Sequence, residues 1–151
     1  DYIDESWVRV IDYFPVLMID PVPPRTAAEV LGKLRGAHPN LTVWAKEDVP
    51  ERLNYRHNRR IMPVVGLADL GWTVVGHHGA GGDADDGGAH GYDNAEADMR
   101  AIFVARGPSF KAGLRVPMFA NTEVYELVCN VMGMPPAPNN GSRAATADWL
   151  R

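Results

Sequence analysis

Ala89-His90-Gly91-Tyr92-Asp93-Asn94, running on to the apolar segment Ala101-Ile102-Phe103-Val104-Ala105, is the stretch on which the reading of this chain turns. A histidine set between small residues, on a loop feeding a buried strand, can present its imidazole to a metal ion. The glycine after it removes a side chain that would crowd the ligand. Asp93 and Asp98 lie close enough in sequence to orient the ring or to stand behind it as hydrogen-bond partners. One histidine does not make a zinc site, which needs three or four N, O or S donors. On residue chemistry alone, a structural histidine capping a loop is the plainer reading of His90.

Working outward, 76–89 is nearly devoid of apolar side chains other than alanine and carries Gly79, Gly81, Gly82, Gly87 and Gly88, so it reads as an exposed, mobile loop. Before it, Ile61 to Ala68 and Gly71 to Val75 read as two strands joined at Asp69-Leu70, a hairpin. Leu41-Thr42-Val43-Trp44-Ala45 alternates as a half-buried strand does, with a turn over 47–52 after it. The segment 25–35 reads as a helix. Thr26 and Glu29 form a capping box, Ala27, Val30, Leu31 and Leu34 line one face, and Gly36 ends it. Phe14 to Ile19 is an apolar strand stopped by the prolines that follow, and 1–13 reads as loop or short helix leading into it.

On the other side of the histidine, Ala101 to Ala105 reads as a strand inside a covered sheet. Asn121 caps a helix in which Val124, Leu127, Val128 and Val131 recur at helical spacing, and Gly133 closes it. The tail 134–151 is rich in Pro and Asn and reads as irregular, docked by Trp149 and Leu150. Alternating strands and helices with one hairpin give an α/β fold: a mixed sheet with flanking helices.

At 151 residues and 46% hydrophobic the chain can bury a core. A net charge of −4 leaves no general attraction to nucleic-acid phosphates, and no apolar run reaches the roughly 20 residues of a membrane span. Cys129 is the lone cysteine, so no disulfide can close within the chain; it reads as a buried thiol inside the apolar helix, the alternative being a pairing with another chain. The chain opens at Asp1 with no methionine and no signal-like segment, which reads as a processed, truncated or cut piece of something longer.

His90-Gly91-Tyr92-Asp93-Asn94, with Met99, the run from Ala101 through Phe110-Lys111, the run from Asn121 to Asn130, and Pro136 to Ser142, resembles the nucleotide pyrophosphatase/phosphodiesterase family of the alkaline phosphatase superfamily. Glu47 to Arg52 and Ala68 to Val74 look like the same family in the same order. The resemblance covers most of the chain but only the C-terminal part of that family's catalytic domain. It implies that 1–151 is an incomplete part of an alkaline phosphatase-like fold, finished by an N-terminal portion in the same precursor or a companion chain.

It further implies a zinc-dependent hydrolase of nucleotide or other phosphodiesters, with two zinc ions. His90 would be a ligand of the zinc that activates water. The threonine nucleophile and the remaining ligands would lie upstream, so no catalytic residue is expected in this chain and the chain alone is not competent. The implied location is extracellular or a membrane-anchored ectodomain, with any anchor outside this chain. The alternative is a non-catalytic structural or assembly subunit derived from the same family.

Other clusters weigh less. His77, His78, Asp83, Asp85 and Asp86 sit in a loop whose ordering would cost on the order of 1–2 kcal/mol per residue, so they read as solvated. The glycines lack the strand, helix, Lys and Ser/Thr of a phosphate loop. Arg52, Arg56, Arg59 and Arg60, with Tyr55 and His57 between them, read as a solvated or salt-bridged turn. Asn40-Leu41-Thr42 and Asn140-Gly141-Ser142 are N-glycosylation acceptors in a secreted chain.

Overall fold

The computed structural model describes residues 2–76 and 88–151. The glycine-rich loop lies almost wholly outside them, and with it His77, His78, Asp83, Asp85 and Asp86. The chain divides into two compact units, Asp1–Ala101 and Ile102–Arg151.

The first unit is built on four strands: β1 (Val8–Asp12), β2 (Val16–Pro21), β3 (Leu41–Ala45) and β4 (Val64–Ala68), in the order β1-β2-β4-β3. Helix α1 (Ala27–Leu34) links β2 to β3. Every neighbouring pair is antiparallel, with Val16 opposite Leu67 and Leu41 opposite Ala68. β2 and β3 therefore run the same way, joined by a helix as in a βαβ unit, but β4 fills the gap between them. That insertion makes an antiparallel ladder where the alternation of elements suggests a mixed sheet; the α/β class itself holds.

α1 forms where its local signals place it. The Thr26 hydroxyl accepts from the Glu29 amide while the Glu29 carboxylate accepts from the Thr26 amide, and Gly36 takes φ +70° after the last turn. Val30, Leu31 and Leu34 pack on Leu17, Ile19, Val43 and Val64, and each such fully buried side chain is worth about 1.5–3 kcal/mol. On the opposite face Val49, Ile61 and Val65 form a second cluster with Trp44, Leu53 and Tyr55 at its edge. The segment between β3 and β4, with short turns at Lys46–Asp48 and Glu51–Leu53, thus covers the face that α1 leaves open.

The expected hairpin over 71–75 is absent. β4 is central and both its edges are already paired, so it offers the chain after Ala68 no edge on which to fold back as a hairpin. It turns at Asp69, whose carbonyl accepts from the Trp72 amide at 3.0 Å. Trp72 then packs on His38, ring centres 4.9 Å apart, and Val74 reaches the core. β1 escapes the reading of 1–13 because it is an edge strand in which Val8 alone is buried.

In the second unit, α2 (Glu123–Met132) ends at Gly133, φ +66°, with the Met134 amide donating to the Cys129 carbonyl at 2.9 Å. Its start is closed by backbone bonds from Glu123 to Ala120 and from Val124 to Asn121, without the expected side-chain cap. Cys129 is buried, as its position in the apolar helix implies, alongside Leu127 and Glu126. Val128 and Val131 instead line an open apolar groove of about 240 Å³ with Phe103, Phe110 and Met132.

The expected strand over 101–105 is likewise not formed. Ile102 is 92% exposed and Val104 83%, because the second unit offers no neighbouring strand to pair with them. Phe103 alone turns inward, meeting Phe119 at 5.1 Å and Trp149 at 6.0 Å. The tail does dock through its last residues: Leu150 bridges to Phe110 and Trp149 packs on Phe119 at 4.7 Å. It also carries a short helix, α3 (Arg143–Thr146), which its composition hides.

Candidate functional site

His90 lies in irregular backbone after Gly88, exposed to solvent, and hydrogen-bonds to no described residue. The three residues that follow it are each held to the first unit. Gly91 has φ +93° and lies so close to Pro15 that a Cβ there would stand 2.3 Å from the proline Cγ. Tyr92 is buried, with its ring edge-on to Phe14 at 5.5 Å. Asp93 receives both terminal nitrogens of Arg52, one of them at 2.7 Å, and accepts from the Ala95 amide at 2.9 Å. The imidazole is therefore free while the backbone that carries it is pinned to the β1–β2 turn and to the turn Glu51–Leu53.

Asp93 does not orient the His90 ring, since its oxygens are committed to Arg52 and Ala95; it orients the loop instead. Asp98 is exposed on the turn Ala97–Met99 and bonds no described residue. Among the described residues no group of three or more His, Cys, Asp or Glu could hold a metal ion. The arginine cluster resolves into ion pairs: Arg56 with Glu51, its guanidinium also reaching the Val49 carbonyl at 3.3 Å, and His57 beside Glu51 at 3.2 Å. Arg59 and Arg60 are exposed. Sequence reasoning missed Arg52, Phe14 and Pro15 as supports of the histidine loop. Arg52 stands 41 positions from its partner, and nothing local links the two.

The Arg52 guanidinium, and after it the Ala95 amide, hold the Asp93 carboxyl down to about 2 from an ordinary 3.8 against the opposing effect of burial. A folded pKa below the unfolded one adds stability that is complete above about pH 4 and disappears as pH falls through about 2. Because Arg52 is half exposed, screening limits the contribution to about 1 kcal/mol. Asp93→Asn is therefore expected to lose about 1 kcal/mol at neutral pH. In urea titrations the gap from the unsubstituted protein should close between pH 4 and pH 2; a gap independent of pH would contradict the assignment.

The four-stranded antiparallel sheet with its covering helix is part of an alkaline phosphatase-like α/β fold. The profile described as "Type I phosphodiesterase / nucleotide pyrophosphatase" matches residues 1–93, and the chain belongs to that family. It is 42% identical over 151 residues to human ectonucleotide pyrophosphatase/phosphodiesterase family member 5, covering 99% of this chain and 30% of that protein. Human bis(5'-adenosyl)-triphosphatase is 39% identical over 140 residues, 93% of this chain and 30% of its own length. The solved structure of murine ectonucleotide pyrophosphatase/phosphodiesterase 5 superposes with a TM-score of 0.86 at 40% identity, covering 99% of this chain and 39% of that one. A second structure, an inactive variant of the murine protein in complex with AMP, gives 0.85. The chain thus spans about a third of the relatives it matches. No helix among the described residues is long and apolar enough to cross a membrane.

Proposed function

We propose that this chain is the C-terminal part of a zinc-dependent nucleotide phosphodiesterase/pyrophosphatase, contributing His90 to a two-zinc site completed by an upstream segment. The observation that carries the reading is the loop itself. An exposed imidazole without internal partners, on backbone anchored at Gly91, Tyr92 and Asp93, has the arrangement a metal ligand needs before the metal arrives. A neutral imidazole is also a chemically suitable zinc donor. The chain spans about a third of its relatives' length, which supports a site whose other donors, with a threonine nucleophile, belong to an upstream portion.

Zinc would supply Lewis-acid stabilisation of phosphoryl charge. This chain's own part is to hold one donor nitrogen in place and to position it relative to its own sheet. The substrate class, nucleotide phosphodiester or pyrophosphate, rests on the names of the relatives and on the AMP bound to the murine structure. The apolar faces left open at Ile102, Val104 and along α2 fit a chain whose N-terminal portion packs against them. The direct test is turnover of a chromogenic nucleotide phosphodiester by the chain alone and with its upstream portion supplied. No turnover alone and zinc-dependent turnover together is the expected result; inactivity of the pair would leave only the structural-subunit role.

The relatives' "ecto" names support an extracellular or ectodomain location and, with it, glycosylation. The two acceptor tripeptides are not equivalent. The Asn40 side-chain amide donates to Asp69 at 3.2 Å, whereas Asn140 is exposed and unbonded at the tip of a turn held by Asn139 and Glu123. In secreted protein Asn140 is expected to carry the N-linked glycan, so Asn140→Gln should abolish most of the endoglycosidase-sensitive mass at this end of the chain. An unchanged mass would contradict it.

A further inference from the structure

We propose that Arg52 is a positioning residue for the metal ligand, acting through Asp93 to fix where the His90 imidazole stands. This rests on the reading of His90 as a zinc ligand and adds to it a residue 38 positions earlier that touches neither metal nor substrate.

His90 itself makes no hydrogen bond to a described residue, so its position is inherited from its backbone. Upstream of it lie Gly88 and Ala89, neither of them buried, which give little support. The constraint therefore comes from the C-terminal side. Gly91 and Tyr92 fix the loop's height over the Phe14-Pro15 turn by contact, which resists approach but leaves rotation about the contact free. The planar, two-point pairing of Arg52 with Asp93 removes that rotation, because a fork-on-carboxylate contact fixes direction as well as distance.

Arg52 can do so because its own backbone is fixed. The turn Glu51–Leu53 is closed by bonds from the Leu53 amide to the Pro50 carbonyl at 3.0 Å and from the Asn54 amide to the Glu51 carbonyl at 2.8 Å. Leu53 and Tyr55, which follow Arg52 in the chain, pack onto the Val49–Ile61–Val65 cluster on the sheet. A continuous path of fixed groups thus runs from the sheet through Arg52 and Asp93 to the histidine backbone. A group hydrogen-bonded directly to a metal ligand is worth about 10–100-fold in metal affinity, and this pair, acting on the ligand's backbone one step further out, belongs at the lower end of that range.

The test uses the zinc-loaded protein that includes the upstream portion and reads the rate of zinc transfer to a colorimetric chelator, with thermal unfolding of the same samples. Arg52→Met is expected to speed zinc loss about 10-fold. Arg52→Lys, which keeps the charge but gives only a one-point contact, should fall between Arg52→Met and the parent; it also decides the matter if Arg52→Met does not fold. The reversed pair Arg52→Asp with Asp93→Arg should recover part of the retention; recovery of the thermal midpoint without recovery of retention would leave the pair a stabilising role alone and overturn the positioning role. If Arg52→Met and Arg52→Lys hold zinc as the parent does while His90→Ala loses it, the positioning role is wrong and the ligand reading stands. If His90→Ala also retains both ions, the ligand reading itself falls.

Discussion

His90→Ala is expected to lower kcat/KM for nucleotide phosphodiesters by about 10³-fold, the equivalent of roughly 4 kcal/mol of transition-state stabilisation. It should remove one of two zinc equivalents from the assembled protein. The fold should be little affected, because the imidazole is exposed and supports no described neighbour. The combination matters more than any one part of it. A substitution that cuts turnover by unfolding would move the thermal midpoint as well, whereas here metal content and rate should fall together at a nearly constant midpoint. Retention of both metal equivalents and full rate would remove His90 from the site.

Gly91→Ala is the second large effect, and it arises from backbone rather than chemistry. At φ +93° an L side chain is strained whatever the space around it. Here the new Cβ would also lie 2.3 Å from Pro15 Cγ and 2.8 Å from its Cβ, both belonging to a stiff ring that cannot swing aside. Strain and overlap together should cost about 3 kcal/mol, with the loop lifting off the Phe14-Pro15 turn and taking His90 with it. Gly71→Ala is the matched control. Gly71 has φ +83° but nothing within 4 Å of its missing Cβ, so only the backbone part remains, about 1 kcal/mol. Equal losses in chemical denaturation for the two variants would mean that the Pro15 contact is not restrictive.

What the sequence made legible follows the range of the interactions involved. α1 could be read to within a residue or two because its cap, apolar stripe and stop all lie within one short segment. β3 could be read because alternation is a local pattern, and burial of Cys129 because its helix is. The failures at 71–75, at 101–105 and on the outer face of α2 are questions of what lies alongside. Gly71 to Val75 has strand composition, yet β4 has no edge left to offer it. Ala101 to Ala105 has the composition of a covered strand, yet nothing within its unit pairs with it or covers Ile102 and Val104. On α2 the apolar spacing was seen correctly, but Glu126 is buried through its bond from Asn139 while Val128 and Val131 look out onto the groove.

The candidate site divides along the same line. His90 and Gly91 could be singled out from residue type and from the family resemblance. The reason the loop holds its place, Arg52 on Asp93 and Phe14 and Pro15 beneath, depends on folding together segments far apart in the chain. Asp93 stands near the imidazole in sequence, but a guanidinium near in space takes its carboxylate.

The most direct test is anomalous diffraction at the zinc absorption edge from crystals of the protein with its upstream portion present. Two zinc peaks are predicted, one with an imidazole nitrogen of His90 at about 2.0–2.1 Å and with the Arg52–Asp93 pair intact behind it. Two fully coordinated ions with the His90 ring turned to solvent would contradict the account.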